Sequence, residues 1–182
     1  MKKIVFLTGL ILMIISVRYS AAQTSDGIEI NLTQFTEIRS VNTDLQRRFI
    51  RSHSNLVRIK ITKVNIKAAR EFARSHHDIS DATWFKSDGG YIANLQSGGI
   101  NTRIVYDEKG RWFYNVLSYA EAKLDVNIRD MVKSKYPDHD IMVVDQYQFQ
   151  TKILYLIKMI DQQSNFVTVK VCDGRMEVIP SA

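Results

Sequence analysis

Intramolecular disulfide bonds are excluded from this fold, because the sequence of 182 residues has a single cysteine, Cys172. In an oxidising or a reducing compartment alike, the stability of this chain therefore comes from packing and hydrogen bonds. Cys172 ends an alternating run of apolar and polar residues, 167–172, and no histidine lies near it in sequence. This context favours a small buried apolar side chain over a catalytic nucleophile.

The sequence also has little excess of one charge. Its net charge of +6 includes Lys2, Lys3 and Arg18, which lie in a segment that we expect to be removed and that holds no acid. The remaining chain has 22 basic and 19 acidic residues, a net charge of +3. Its basic residues are interspersed with acidic ones, so neither nucleic acid nor an anionic membrane surface is expected as a partner.

Motifs of catalysis and cofactor binding are absent as well: there is no P-loop, no dinucleotide fingerprint, no zincin motif and no nucleophile elbow. The four histidines, His53, His76, His77 and His139, include no pair at helical spacing. The run 138–140, Asp-His-Asp, follows a proline and is interpreted as a polar connector. The sequence therefore predicts no catalytic residue, no metal site and no cofactor.

Residues 1–22 have the pattern of a secretory signal peptide. Lys2 and Lys3 precede an apolar run from 4 to 17, and small residues at 20–22 suit a signal peptidase. The apolar run is shorter than the roughly 20 residues of a membrane-spanning helix. We therefore expect cleavage between Ala22 and Gln23, no stable membrane span afterwards, and a periplasmic or extracellular mature protein.

Residues 23–62 form an N-terminal extension whose structure the sequence pattern does not define. Residues 28–32 and 57–61 alternate as strands do, and apolar residues between 35 and 50 recur at spacings of three and four, as in an amphipathic helix. The main domain is predicted to span residues 63–180.

The most regular part of that domain is the stretch 91–114. Its β-branched and aromatic residues predict strands at 91–95, 102–106 and 111–114. The last two strands are joined by the sequence Asp-Glu-Lys-Gly at 107–110. An aspartate binds its own turn backbone and a glycine tolerates positive φ, so these four residues predict a hairpin turn.

Two helices are predicted on either side of this stretch. The first begins after the N-cap Asn65 and ends at His76, and the second begins after the N-cap Asp125 and ends at Tyr136. Each helix has one apolar face. Further strands are predicted at 82–86, 141–149, 152–160, 166–172 and 176–179.

The two halves of the domain align with each other. An offset of 60 residues superposes the helices, and an offset of 66 residues superposes 102–107 on 168–173. The sequence thus predicts an α+β fold of two tandem repeats, 63–118 and 121–180, each a helix plus three or four antiparallel strands. Side by side, the repeats are expected to share one sheet, with the helices packed on one face.

The hairpin motif resembles that of a known family. The run Val-Tyr-Asp-Glu-Lys-Gly-Arg-Trp at 105–112, the helix end Tyr136–Pro137 and the closing turn Asp173–Gly174 together resemble the beta-lactamase-inhibitor-like, PepSY-like family of secreted Bacteroidetes proteins, over about residues 63–180. The chain departs from that family at Asp125, where proline often opens the helix. The resemblance implies a small secreted, non-enzymatic protein that binds or restrains a protein such as a peptidase.

Aromatic residues are concentrated on the predicted strands, and tryptophan, tyrosine and arginine are typical of protein interfaces. Strand alternation places neighbouring aromatic residues on opposite faces of the sheet. The alternative interpretation is that these aromatic residues belong to the core. The predicted binding face carries Phe85, Tyr91, Trp112 and Tyr114, with Arg103 and Arg111 beside them.

The predicted function is an exported, non-enzymatic binding or inhibitory module that engages a protein of the cell envelope through its sheet. The alternative is a periplasmic protein that binds a small ligand or a peptide, which requires an enclosed apolar pocket. A hydrolase would require a convergent acid–base cluster in a cleft, for which the sequence has no motif.

Overall fold

The computed structural model describes residue 48 and residues 51–76 and 82–179. All of these residues belong to one compact unit. Two α-helices lie wholly within them, α1 at Ile66–Ser75 and α2 at Val126–Lys135, and residues 51–53 are also helical. Their strands, β1 to β9, span Val57–Ile59, Thr83–Ser87, Gly90–Ser97, Ile100–Asp107, Trp112–Tyr119, Asp140–Gln148, Ile153–Ile160, Phe166–Cys172 and Arg175–Ile179.

The strands form a single antiparallel sheet in which each strand pairs with its neighbour in sequence, in the order β1 to β9. The predicted α+β fold of two tandem helix-plus-sheet repeats is therefore wrong. Nine strands form one continuous open sheet, and β5 and β6 pair through five residue pairs although α2 separates them in sequence, so the sheet has no boundary between two repeats. Strand β1 adds residues of the extension that neither repeat includes. The described fold is mostly β-structure with two ten-residue helices.

Both helices pack against the same face of this sheet, which we call the helix face. The helix-face residues of α1 and β2–β4 form one buried cluster, and those of α2 and β5–β8 form another. The first cluster consists of Val64, Ala68, Phe72, Trp84, Ala93, Leu95, Ile104 and Tyr106. The second consists of Tyr119, Leu124, Val132, Ile141, Val144, Ile157, Met159, Val169 and Val171.

The predicted helix caps are confirmed. The Oδ1 atom of Asn65 accepts a hydrogen bond from the backbone N–H of Lys67 at 2.9 Å. The Oδ1 atom of Asp125 accepts from Asn127 and Ile128, at 2.9 and 3.3 Å. In both helices a side-chain oxygen thus satisfies N–H groups that have no partner within the helix.

The opposite face of the sheet, which we call the second face, also has a buried apolar centre. Its buried residues are Ile92, Val105, Tyr114, Val116, Tyr147, Leu154 and Leu156. The helical residues 51–53 reach this face at one end, where Ser52 Oγ lies 3.1 Å from the hydroxyl oxygen of Tyr114. The second face is therefore not an open aromatic surface at Tyr114.

The predicted strands within the main domain are confirmed to within one or two residues at most of their ends, and β1 confirms a strand near 57–61. Strand β5 is the exception, because it continues past the predicted residue 114 to Tyr119. The signal peptide at 1–22 and the other patterns of 23–47 lie outside the described residues. Within residues 51–76 and 82–179, neither helix has the length and hydropathy needed to cross a membrane.

Candidate functional site

The six predicted binding residues do not share one face. Tyr91 and Trp112 lie on the helix face and pack against its first cluster. Phe85 and Tyr114 lie on the second face, where they are in register with Ile92 and Val105. The prediction of a common aromatic face is therefore wrong. The β2–β3 register pairs Phe85 with Ile92 and so puts it opposite Tyr91, and a register irregularity beside Trp112 places Trp112 and Tyr114 on opposite faces.

Arg103 and Arg111 also lie apart. Arg103 is on the second face, in register with Val116, and is half-buried. Arg111 is in the β4–β5 turn, with 66% of its side-chain surface exposed. Any role of the six residues in binding stays a prediction, and they do not converge on one contact surface.

Tyr114 is a core residue. It is fully buried, and its ring lies 4.9 Å from that of Phe113 and 5.4 Å from that of Phe149, centroid to centroid. Burial raises the pKa of its hydroxyl well above the usual value, although the hydrogen bond with Ser52 opposes this. The phenol therefore stays protonated at neutral pH and does not act as a base.

A different group of residues converges at the tip of the β4–β5 hairpin. A pocket of about 160 Å³ opens there, and we call it the hairpin pocket. It lies between the helical segment around residue 51, the β2–β3 turn and the β4–β5 turn. Its lining residues are Arg48, Arg51, Gly89, Asp107, Glu108, Lys109, Arg111 and Phe113.

Asp107 organises this pocket. Its Oδ1 atom accepts hydrogen bonds from the backbone N–H groups of Lys109 and Arg111, at 3.0 and 2.9 Å. Its Oδ2 atom accepts from Nε and a terminal nitrogen of Arg111, at 2.8 and 2.7 Å. A terminal nitrogen of Arg48 lies 3.7 Å from the same Oδ2 atom. One carboxylate therefore closes the turn and also orients two guanidinium groups.

Arg51 and Arg48 make further contacts that hold their guanidinium groups at the pocket. A terminal nitrogen of Arg51 donates to Glu108 Oε1 at 2.7 Å and to the backbone oxygen of Asp88 at 3.1 Å. The guanidinium carbon of Arg48 lies 4.4 Å from the centre of the Phe113 ring. Such stacking on an aromatic ring holds the guanidinium plane in place.

The backbone around the pocket is tightly packed. A Cβ atom at Gly89 would lie 2.6 Å from the backbone nitrogen of Ser52, so the β2–β3 turn and the segment that carries Arg51 touch through their backbones. A Cβ atom at Gly110, where φ is 73°, would lie 2.7 Å from Oδ1 of Asn65. The pocket is thus fixed on one side to the helical segment and on the other to the start of α1.

Asp107 gives a testable pH dependence. Burial alone raises its pKa, but hydrogen bonds from the backbone and side chain of Arg111, its positive charge and the N–H of Lys109 lower the pKa below the usual value. A lowered pKa stabilises the folded state above the unfolded pKa of about 3.9, and this stabilisation is lost as pH falls through the folded value. We expect Asp107→Asn to lower the free energy of unfolding by about 2 kcal/mol at pH 7.

The difference in free energy of unfolding between the wild type and Asp107→Asn should shrink as the pH falls below about 4, because the wild-type carboxyl becomes protonated and loses its negative charge. Urea unfolding at pH 7 and at pH 2.5 measures it. Glu108→Gln is the matched control, since Glu108 is exposed and its pair with Arg51 is worth at most about 1 kcal/mol. A difference for Asp107→Asn that is the same at both pH values would contradict this role of the carboxylate.

The charges of the hairpin pocket do not balance. Four basic side chains, those of Arg48, Arg51, Lys109 and Arg111, face two carboxylates, those of Asp107 and Glu108. Exposed arginine groups held in fixed orientations suit contact with a negatively charged group. Among the described residues, no group of three or more histidine, cysteine, aspartate or glutamate side chains is arranged to hold a metal ion.

The sequence identifies only part of this pocket. Arg111 was predicted as a binding residue and Asp107 as the turn residue, and both line the pocket. Arg48 and Arg51 were missed, because they lie in the extension, 59 and 56 residues before Asp107, and no local motif connects them with the hairpin turn. The one available signal was the excess of arginine around residue 50, in Arg47, Arg48 and Arg51.

No protein-family model matches this chain, and no curated protein matches it. Solved structures of Bacteroides proteins are similar in fold. A DUF2874 family protein from Bacteroides ovatus ATCC 8483 has a TM-score of 0.53 and 14% identity, over 63% of this chain and 87% of its own. A DUF2874 family protein from Bacteroides uniformis ATCC 8492 has a TM-score of 0.53 and 11% identity, over 63% and 86%.

A third structure, from Bacteroides eggerthii DSM 20697, is named as a putative periplasmic protein. It has a TM-score of 0.53 and 11% identity, over 64% of this chain and 89% of its own. Identities this low show a shared fold and no more. The predicted resemblance to Bacteroidetes proteins is therefore supported at the level of the fold with Bacteroides proteins, and membership of the beta-lactamase-inhibitor-like, PepSY-like family stays a prediction.

Proposed function

We propose that this protein is an exported, non-enzymatic binding module that engages a protein of the cell envelope through the hairpin pocket. The observation that carries this proposal is the set of exposed arginine side chains held in place by Asp107, Glu108 and Phe113. Arginine is enriched at the contact points of protein interfaces. A preoriented side chain also loses less conformational entropy when a partner binds.

Two further observations favour export to the periplasm. Residues 1–22 have the sequence pattern of a cleaved signal peptide. One protein of similar fold, that from Bacteroides eggerthii, carries a periplasmic description. Cleavage after Ala22 would leave the hairpin pocket and both helices in the mature chain.

The size of the pocket favours a protein partner over a small molecule. Pockets that enclose small molecules have volumes of about 300–1,000 Å³ and mostly apolar walls. The hairpin pocket has only about 160 Å³, and six of its eight lining residues are charged. It suits a single charged group carried by a larger partner, which then contacts the surrounding turns.

Site-specific photo-crosslinking in the native host tests this proposal. A photoreactive amino acid replaces Lys109, at the exposed rim of the pocket, and in a second strain it replaces Gln162. Gln162 is exposed in the β7–β8 turn, at the opposite end of the strands, and serves as the matched control. We expect a discrete covalent adduct from position 109 and none from position 162.

The adduct should also be lost when Arg48 and Arg51 are both changed to glutamate, and it should be kept when Arg129 and Arg175, which lie outside the pocket, are changed in the same way. Equal adducts from positions 109 and 162 would contradict the proposal, as would an adduct that survives the reversal of both pocket charges. Mass spectrometry of the adduct identifies the partner.

A further inference from the structure

We infer that the hairpin pocket recognises a doubly charged oxyanion: a sulfate, a phosphate or a phosphate monoester group. This inference rests on the proposed function and names the chemical group that the pocket takes. Three properties of the pocket support it: the balance of its charges, the N–H donors that remain unused on its arginine side chains, and the size of the space between those side chains.

The charge balance favours two negative charges. The four basic and two acidic side chains of the hairpin pocket leave a surplus of two positive charges at neutral pH. Both carboxylates already face guanidinium groups, at 2.7 Å in each case. A singly charged carboxylate would leave one positive charge uncompensated, whereas a dianion would neutralise the pocket.

The arginine groups keep donors for such a ligand. Each guanidinium has five N–H donors. The contacts of Arg48 and Arg51 with carboxylates and backbone each use one terminal nitrogen, and those of Arg111 use Nε and one terminal nitrogen. A second terminal nitrogen thus remains on all three residues. Their side chains are 46%, 60% and 66% exposed.

The acidic residues of the pocket do not prevent anion binding. Asp107 is largely enclosed, with 12% of its side-chain surface exposed, and its oxygens are occupied by the turn and by Arg111. Its position behind the guanidinium groups fixes their orientation. A volume of about 160 Å³ holds one tetrahedral oxyanion with a short stem, which agrees with a group at the end of a larger molecule.

Titration of the mature chain, residues 23–182, with sodium sulfate, sodium phosphate, phenyl phosphate and sodium acetate tests the inference. Chloride keeps the ionic strength constant, because exposed ion pairs weaken as salt is added. The side-chain Nε–H resonances of arginine are followed by nuclear magnetic resonance. We expect saturable shifts with the dianions, and binding at least about tenfold weaker for acetate.

The double variant Arg48→Gln, Arg51→Gln should bind the dianions at least about tenfold more weakly, which corresponds to the loss of one charge-assisted hydrogen bond. Its matched control is Arg129→Gln, Arg175→Gln, which removes two arginines that lie outside the pocket. Arg51→Gln alone is a second, milder pocket variant, for use if the double variant does not fold. Tighter binding of phenyl phosphate than of free phosphate would identify an ester as the preferred source.

Acetate binding as strong as sulfate binding, linear shifts without saturation, or equal weakening in the control variant would each overturn the inference. These outcomes differ from those of the crosslinking experiment. An adduct at position 109 without dianion binding overturns the ligand class and leaves the proposed function standing. Dianion binding without an adduct contradicts the protein partner.

Discussion

Replacement of Trp84 by alanine is expected to lower the free energy of unfolding by about 4 kcal/mol, the usual cost of removing a buried tryptophan. Trp84 is 3% exposed, and its side chain points from β2 toward α1. Its ring contacts Phe72 edge-on at 5.3 Å and stacks on Tyr106 at 5.9 Å, centroid to centroid. Its loss would leave a cavity at the centre of the first helix-face cluster.

Urea unfolding followed by circular dichroism measures this effect. Trp84→Phe is the matched control, because it keeps an aromatic ring against Phe72 and should cost only about 1–2 kcal/mol. Since a domain of this size has a total stability of about 5–15 kcal/mol, the alanine variant should be unfolded at a clearly lower urea concentration. Equal midpoints for the two variants would show that the stacked rings are not central to the core.

Replacement of Gly90 by alanine is expected to cost at least about 3 kcal/mol, from backbone strain and steric overlap together. Gly90 begins β3 with a φ of 146°, which side chains rarely adopt. A Cβ atom there would press on the carbonyl oxygen of Tyr106 and lie 2.6 Å from the carbonyl carbon of Asp107. The change would therefore also displace the residue that organises the hairpin pocket.

The variant Gly98→Ala separates the cost of backbone strain from the cost of steric overlap. Gly98 has a φ of 55°, but a Cβ atom added there meets no atom within 4 Å. Its replacement should cost only the conformational penalty, about 1 kcal/mol. The difference between the two alanine variants in urea unfolding gives the steric part, and equal losses would contradict a close contact between Gly90 and β4.

The individual elements of the fold were predictable because each depends on residues close together in sequence. The N-caps Asn65 and Asp125 and the turn at 107–110 follow from local hydrogen bonding and backbone preference. Strand alternation likewise correctly separates Trp84 from Phe85, which lie on opposite faces. Local rules of this kind need no knowledge of the tertiary structure.

The assembly of those elements was not predictable from the same signals. The alternation of residues in β5 and β6 does not reveal that these strands pair, with Val116 beside Tyr147, although a helix separates them in sequence. Nor does it reveal that β1 joins the edge of the sheet. The face of Tyr114 was wrongly assigned relative to Tyr91, because the register irregularity between Val105 and Tyr106 shifts the alternation by one residue.

The candidate site likewise has one part that follows from local sequence and another that depends on the tertiary structure. The carboxylate and arginine of the turn, Asp107 and Arg111, are four residues apart and belong to one motif. Arg48 and Arg51 reach them because the segment that carries them is held against the β2–β3 turn, where Ser52 touches Gly89. That approach is a property of the folded chain, and a composition with a net charge near +3 gives no indication that four basic groups meet at one pocket.

The sequential order of the sheet has a consequence for how the chain is made. Ribosomes deliver the N-terminus first, and every strand from β2 onward pairs with the strand that precedes it in sequence. Each newly emerged strand therefore finds its partner already present and never waits for a later segment. If the sheet assembles while the chain is synthesised or translocated, each unpaired strand edge is exposed only briefly. This limits aggregation, which is more common when strands pair slowly with distant parts of the sequence.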